Sequence, residues 1–416
     1  MRRMVRRVAV SIAVVAGVMI PAHAALAFTD VPSSYWDYTA ITYMAQTHTW
    51  MQDYGTSLFQ PTTYETRELY ARSLVQMYAP DEPIDPSIVI KDLPATDPFY
   101  RYANVSIKLG WMPLFTNGNW APTKAIKTDA TDRGIVSAMG SLGDAIKGLA
   151  AIHEDDGDVY TVGTYFPYIQ LAHWLGLHYN HGDETLDLNI LSQVKRDEIA
   201  YTLWMAQTVP SWEIGDAADF DHISLPALTS SDKQRHDVTQ YALNQLGFPY
   251  IWGGEWNVAS PTGYCCGSQP QGGMDCSGFA WWVMKKNEAN YNAAQYHPAY
   301  AGWSLPERVS HDMAKGTVSQ IKFGSLKVGD IMFFATDGGT SWSDVDHVGI
   351  YLGNNWMIHS SGSGDGPDLE SVASGSYYND IFVYGRRLIG VSDNPIHHPV
   401  DVLAGDGPRE GGERRR

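Results

Sequence analysis

The 416-residue sequence predicts a multidomain chain, with an all-α repeat unit followed by an α+β domain whose helices pack on an antiparallel sheet. Three observations predict it. Helix–loop–helix patterns recur through the first half with a period of roughly 60 residues, the mark of a repeat array. The second half, from about Gln234 to 390, switches to short apolar runs bounded by turn residues, which read as strands. Between them, Ser211 to Lys233 is polar, acidic and without clear periodicity, so 211–233 reads as a linker.

The ends frame these two units. "MRRMVRR" is a basic opening, Val8 to Ile20 is a short apolar run, and "PAHAALA" supplies small residues for cleavage. Residues 1–27 therefore read as a secretory signal peptide, with cleavage after Ala24 or Ala27 equally readable. No later stretch is long and apolar enough for a membrane-spanning helix. The proline, glycine and charge content of 391–416, with His397 and His398 inside it, reads as a disordered tail. A formal charge of −17 argues against a nucleic-acid partner. The 14 tryptophans suit sugar stacking, although aromatic cores account for most of them.

Within the repeats, the first copy (about 28–80) runs "FTDVPSSYWDYTAITYMAQTHTW" and then "YGTSLFQPTTYETRELYARSLVQMY". Tyr38, Ile41 and Met44, then Leu69, Leu74 and Met77, follow helical spacing. A second copy (90–145) begins "KDLPATDPFYRYANVSIKLGWM", and a third (160–210) holds "YFPYIQLAHWLGL" and "VKRDEIAYTLWMA". The pattern resembles the S-layer homology (SLH) module, through Asp30, Trp36, Gly55, Phe59, Pro61 and Thr66-Arg67-Glu68 in the first copy. The third keeps Arg196 and Glu198, whereas the second has "IKTDA" where the arginine belongs. The resemblance implies a pseudo-threefold helical unit that holds cell-wall polysaccharide, with Arg67, Arg196 and Trp36 as candidate contacts. A guanidinium suits such a ligand because it grips a carboxylate with two parallel hydrogen bonds. Without a ligand, the same arginines would pair with neighbouring glutamates on a helix face.

The chemistry concentrates in the second domain. Three cysteines in an exported chain cannot all pair internally, and adjacent Cys265 and Cys266 close only a strained ring, so Cys276 is the thiol left over. "SGFAWWVMKKN" after it reads as a buried helix, which puts Cys276 at a helix N-terminus, where the dipole favours a thiolate. "KVGDIMFF" reads as a strand from Ile331, and "DVDHVGIYLGNNWMIHSSG" as a hairpin turning at Gly353-Asn354-Asn355. That turn is expected to set His347 and His359 close to opposite each other, with one nitrogen of His347 bonded to His359 and the other facing Cys276. Zinc competes for one cysteine and two histidines, but the spacing offers no tight ligand pair. No metal or organic cofactor is expected.

The ordered set "LGFPYIWGG", "MDCSGF", "SLPERVS", "LKVGDIMFF", "DHVGIYLG" and "MIHSSG" resembles the NlpC-type family of papain-like cysteine peptidases that cut peptidoglycan stem peptides. The resemblance implies Cys276 as nucleophile, His347 as base and acid, and His359 as the orienting third residue. It further implies Tyr250 beside the reacting carbonyl and Asp275 and Ser277 along the substrate groove, although Asp275 also reads as a helix cap. The implied bond joins D-γ-glutamyl to a diamino acid. Two stretches, before "DCSG" and after the nucleophile helix, are longer than the family pattern. The expected whole is a secreted, wall-associated cysteine peptidase. A non-catalytic wall-binding protein, or an amidase or acyltransferase on the same fold, are the alternatives.

Overall fold

The computed structural model of the chain describes residues 28–229, 232–256, 259, 269, 271–284, 305 and 307–390. The signal-peptide segment, the Cys265-Cys266 loop, the insertion after the nucleophile helix and the tail lie outside the described residues.

The first half consists of three helical hairpins. They are α1 (Tyr38–Thr42, continued by a π turn to Thr47) with α2 (Arg67–Tyr78), α3 (Tyr100–Lys108) with α4 (Thr128–Ala138), and, after α5 (Gly143–Leu149), α6 (Phe166–Trp174) with α7 (Arg196–Thr208). The segment before each second helix is extended, and the three extended segments close on one another. Glu65 N–H donates to Val194 O, Val194 N–H to Ile126 O, and Ile126 N–H to Glu65 O, all within 3.1 Å. Two residues beyond each contact the pattern repeats: Arg67 N–H meets Lys124 O, Thr128 N–H meets Ser192 O and Arg196 N–H meets Thr63 O. Arg67, Thr128 and Arg196 are therefore structurally equivalent. No single hairpin could bury its apolar face alone, and the threefold ring lets each cover its neighbour.

Residues 211–233 differ from the linker expectation. They form α8 (Ser211–Asp216), a 3-10 turn through Phe220, and β2 (Ser224–Leu225), which pairs in parallel with β1 (His153–Glu154). Phe220 is buried between Trp174 of α6 and Trp356, with ring centroids 5.3 and 5.4 Å away. Elements this short show no periodicity in a sequence, yet the buried phenylalanine alone contributes about 1.5–3 kcal/mol.

The second half opens with α9 (Lys233–Leu243), then β3 (Glu255–Trp256) antiparallel to β4 (Gly273–Met274), α10 (Cys276–Val283) and α11 (Ser310–Lys315). The main sheet follows: β5 (Ile331–Phe334), β6 (His347–Gly353), β7 (Trp356–Ser361), β8 (Gly366–Ser371) and, after α12 (Tyr377–Asp380), β9 (Phe382–Arg386). Its order is β8-β7-β6-β5-β9, with antiparallel pairing throughout. One face, through Phe333, Val348, Ile350 and Ile358, joins the core that contains α10. The other carries Met332, Phe334 and Met357. This second half is the expected α+β arrangement. No helix among the described residues is long and apolar enough to cross a membrane.

Candidate active site

The helix that begins at Cys276 is set by its cap and by a close backbone approach. Asp275 is the N-cap of α10 and its Oδ1 accepts from Gly278 N at 2.5 Å. A Cβ on Gly278 would lie 1.8 Å from Gly254 O, so only glycine lets this helix seat against the preceding loop. Cys276 begins the helix, where unsatisfied N–H groups and the dipole stabilise an anion. It is a reduced cysteine, 7% exposed, and its Sγ lies 4.0 Å from the Asp346 carbonyl oxygen. The thiol thus sits against the backbone one residue before His347.

The two histidines come from the hairpin, by a register other than the one expected. The turn is the two-residue Asn354-Asn355, with φ of 47° and 65°, and Gly353 pairs with Trp356. Both asparagines take the left-handed conformation that this tight turn requires. A register shift between Tyr351 and Gly353 then places Gly349, not His347, opposite His359. Parity still puts His347 and His359 on one face, as diagonal neighbours. His347 Nε2 and His359 Nδ1 are 2.6 Å apart, with the rings at 89°. Burial, and then the charge of His359, hold His347 well below the ordinary histidine range, so the ring rests neutral and able to accept a proton.

Sequence reading missed Asp368. It lies directly opposite His359 in the β7–β8 register, with its Oδ1 3.0 Å from His359 Nε2. It also missed the part played by Arg308, which stands inside the "SLPERVS" stretch. Arg308 is buried, donating to Asp275 Oδ1 (3.1 Å), Ser277 Oγ (2.8 Å) and Gly254 O (2.7 Å), with Glu255 3.6 Å away. Burial works against the charge on Arg308, and Asp275 and Glu255 outweigh it, holding the group above its usual value.

This arrangement corrects the expectation for Asp275 and Ser277. Both are buried, and both oxygens of Asp275 are taken, by Gly278 N, Ser277 Oγ and Arg308 at Oδ1 and by Gly253 N and Arg308 at Oδ2. They brace the loop and helix start around Cys276 instead of lining a groove, because a buried guanidinium demands this many acceptors. Tyr250 is 4% exposed in the segment that ends at Gly254, with Gly362 against its ring.

The three wall-binding candidates separate. Arg196 is fully buried: Nε donates to Phe59 O, Nη1 to Glu65 Oε2, Nη2 to Met51 O, and Asp53 lies 2.8 Å from Nη2. Burial pushes Glu65 up to about 7 against the pull of Arg196. Full burial and these contacts to the fold remove Arg196 as a ligand contact. Arg67 bonds Trp120 O and Pro113 O through Nε and Nη2 and lines a cavity of about 70 Å³ with Trp111, Phe115, Arg133 and Tyr165. Burial lowers it to about 10, so it is charged at neutral pH. Trp36 is half-buried, stacked on Tyr179 at 4.6 Å and edge-on to His181.

The family model that matches this chain lies in its second half. Residues 247–387 match the model of the NlpC/P60 family. A γ-D-glutamyl-L-lysine dipeptidyl-peptidase of Bacillus subtilis is 29% identical over 150 residues, covering 36% of this chain and 40% of that protein. The murein DD-endopeptidase MepH of Escherichia coli is 30% identical over 157 residues, covering 36% and 46%. The chain thus spans less than half the length of these curated relatives. The solved structure of the peptidoglycan hydrolase RipB from Mycobacterium tuberculosis is 23% identical, with a TM-score of 0.28 over 38% of this chain and 68% of that one. Residues 247–387 of this chain form an NlpC/P60 domain.

Proposed function

We propose that the chain is a secreted, cell-wall-associated cysteine peptidase that hydrolyses amide bonds in peptidoglycan stem peptides. The observation that carries the reading is the placement of Cys276 at a capped helix N-terminus, against the strand that presents the His347–His359 pair, inside an NlpC/P60 domain. His347 takes the thiol proton, and Cys276 attacks the amide carbonyl to give a tetrahedral oxyanion. The Cys276 backbone N–H is the nearest helix-terminal donor for that oxyanion. The C–N bond breaks as His347 returns the proton to the leaving amine. Water, deprotonated by His347, then cleaves the thioester. The bond we assign is D-γ-glutamyl to a diamino acid, in keeping with the name of the Bacillus subtilis relative. The name of the Escherichia coli relative points to a DD bond as the competitor.

The repeat unit supplies the second part of the proposal. The cavity floored by Arg67 and walled by aromatic rings suits an acidic substituent on a wall polysaccharide, held by charge and stacking. Residues 1–27 direct export, and the repeats then retain the enzyme at the wall.

The test is digestion of purified peptidoglycan by wild type and Cys276→Ala, with mass spectrometry of the released fragments. Stem-peptide fragments from wild type alone support the peptidase, and their masses name the bond. Fragments carrying the whole stem released from glycan would make it an amidase. Silence from both proteins, with both still sedimenting on wall material, would leave a wall-binding protein.

A further inference from the structure

The Cys276, His347 and His359 set leaves one question of protons open. Histidine has two ring nitrogens, and a base must present a bare one to the thiol. His347 and His359 share one hydrogen bond, from Nε2 to Nδ1, and two tautomeric arrangements satisfy it equally. In one, His347 Nε2–H donates and its Nδ1 is the bare nitrogen. In the other, His359 Nδ1–H donates and His347 keeps its proton on Nδ1, where it cannot accept one from the thiol. The pair by itself does not choose.

We infer that Asp368 chooses, as a positioning residue that fixes the tautomer of His359 and, through it, the basic nitrogen of His347. The inference rests on the cysteine peptidase reading above. Three adjacent strands carry the row: His347 on β6, His359 on β7 and Asp368 on β8. His359 and Asp368 are directly opposed in the register, and their facing atoms are 3.0 Å apart. The approach is oblique, as catalytic contacts often are before substrate tightens them. A carboxylate accepts and does not donate, so it draws the His359 proton to Nε2. His359 Nδ1 is then bare, His347 Nε2–H donates to it, and His347 Nδ1 is left to take the thiol proton. Asp368 is 4% exposed and His359 1%, so water does not compete for either atom.

The position of Asp368 is itself held from the other half of the chain. Residue 369 is clamped by Gln170 of α6, whose Nε2 donates to Leu369 O at 3.0 Å while its Oε1 accepts from Leu369 N at 2.8 Å. Gln170 is fully buried, and its amide does for this edge of β8 what a further strand would do. The repeat unit therefore does more than tether the peptidase. It fixes the strand that carries the carboxylate behind the base.

The experiment compares wild type, Asp368→Asn and Asp368→Glu in the full chain. It reads kcat and KM on a stem peptide, the pH dependence of Cys276 alkylation by iodoacetamide, and thermal melting. An asparagine that turns its amide N–H toward His359 selects the wrong tautomer. The expected result for Asp368→Asn is an unchanged melt, a KM near wild type, a kcat lower by about 10²–10⁴-fold, and an alkylation profile displaced to higher pH. Asp368→Glu, which keeps the acceptor, recovers part of both. Turnover within about threefold of wild type, or a loss that only follows the unfolded fraction with the alkylation profile unmoved, would overturn the inference. If wild type itself turns over no stem peptide, the peptidase reading fails, and the alkylation profiles still decide the role of Asp368.

Discussion

Arg196 and Arg308 are both buried, both form hydrogen bonds and ion pairs on several sides, and each lies in a different half of the molecule. Around Arg196 the guanidinium joins the first and third repeats. Around Arg308 the same chemistry braces Asp275, and Asp275 caps the helix that starts at Cys276. A buried arginine is in each case a structural joint. What differs is what the joint supports: a repeat interface in one half and, in the other, the start of the helix that carries Cys276, the nucleophile we propose. Arg67, at the repeat position equivalent to Arg196, shows the third outcome, a guanidinium that lines a cavity.

The comparison can be broken most severely at the base. His347→Gln removes proton transfer without opening a large cavity, and turnover should fall by about 10²–10⁴-fold with the fold intact. In the wild type, the lowered His347 value keeps the base neutral below its ordinary 6.5, so the acid limb of kcat/KM should lie below that pH. The same depression has a sign for stability. The folded state holds His347 neutral, so its contribution is fully present above 6.5 and is lost as pH falls through the folded value. Denaturant midpoints between pH 7 and 5 should therefore fall less steeply in His347→Gln than in wild type.

Breaking either arginine joint should cost about 3–5 kcal/mol, because each removal leaves carboxylates buried without their partner. The two losses should differ in reach. Arg308→Met should also slow Cys276 alkylation, whereas Arg196→Met should lower the denaturation midpoint and leave alkylation of the folded fraction unchanged. Equal effects on the thiol would erase the distinction. The smallest expected effect is at Arg67, where Arg67→Met gives up hydrogen bonds to two carbonyls, about 1–3 kcal/mol in stability. Its signature is retention: in sedimentation with wall material, Arg67→Met should appear in the supernatant where Arg196→Met does not.

Much of the site was legible because its signals are local. An aspartate able to cap and the apolar run after it place Cys276 at a helix start with no knowledge of the rest, whereas the need for glycine at residue 278 shows only once Gly254 is packed against it. His347 and His359 share a face because strand parity survives even though the two-residue turn and the shift near Leu352 moved the register. Asp368 was not legible. Its strand begins Gly366-Pro367 at the edge of the sheet, where proline is tolerated, and neither residue signals a strand. Its role appears only once β7 and β8 are aligned. Arg308 stood within a recognised stretch, but an arginine far along the chain from Asp275 gives no sequence sign of what it will meet. The segment 211–233 failed for a third reason, since its elements are shorter than the period that would reveal them.

The central claim is that Cys276 carries the acyl intermediate. Its most direct test is intact-mass spectrometry of the protein, acid-quenched during turnover of a purified stem peptide. The account predicts an adduct on Cys276 equal to the amino-terminal part of the stem, through the glutamyl residue, less one water, absent from Cys276→Ala. Fragment release that persists in Cys276→Ala with no adduct on the wild-type thiol would contradict it.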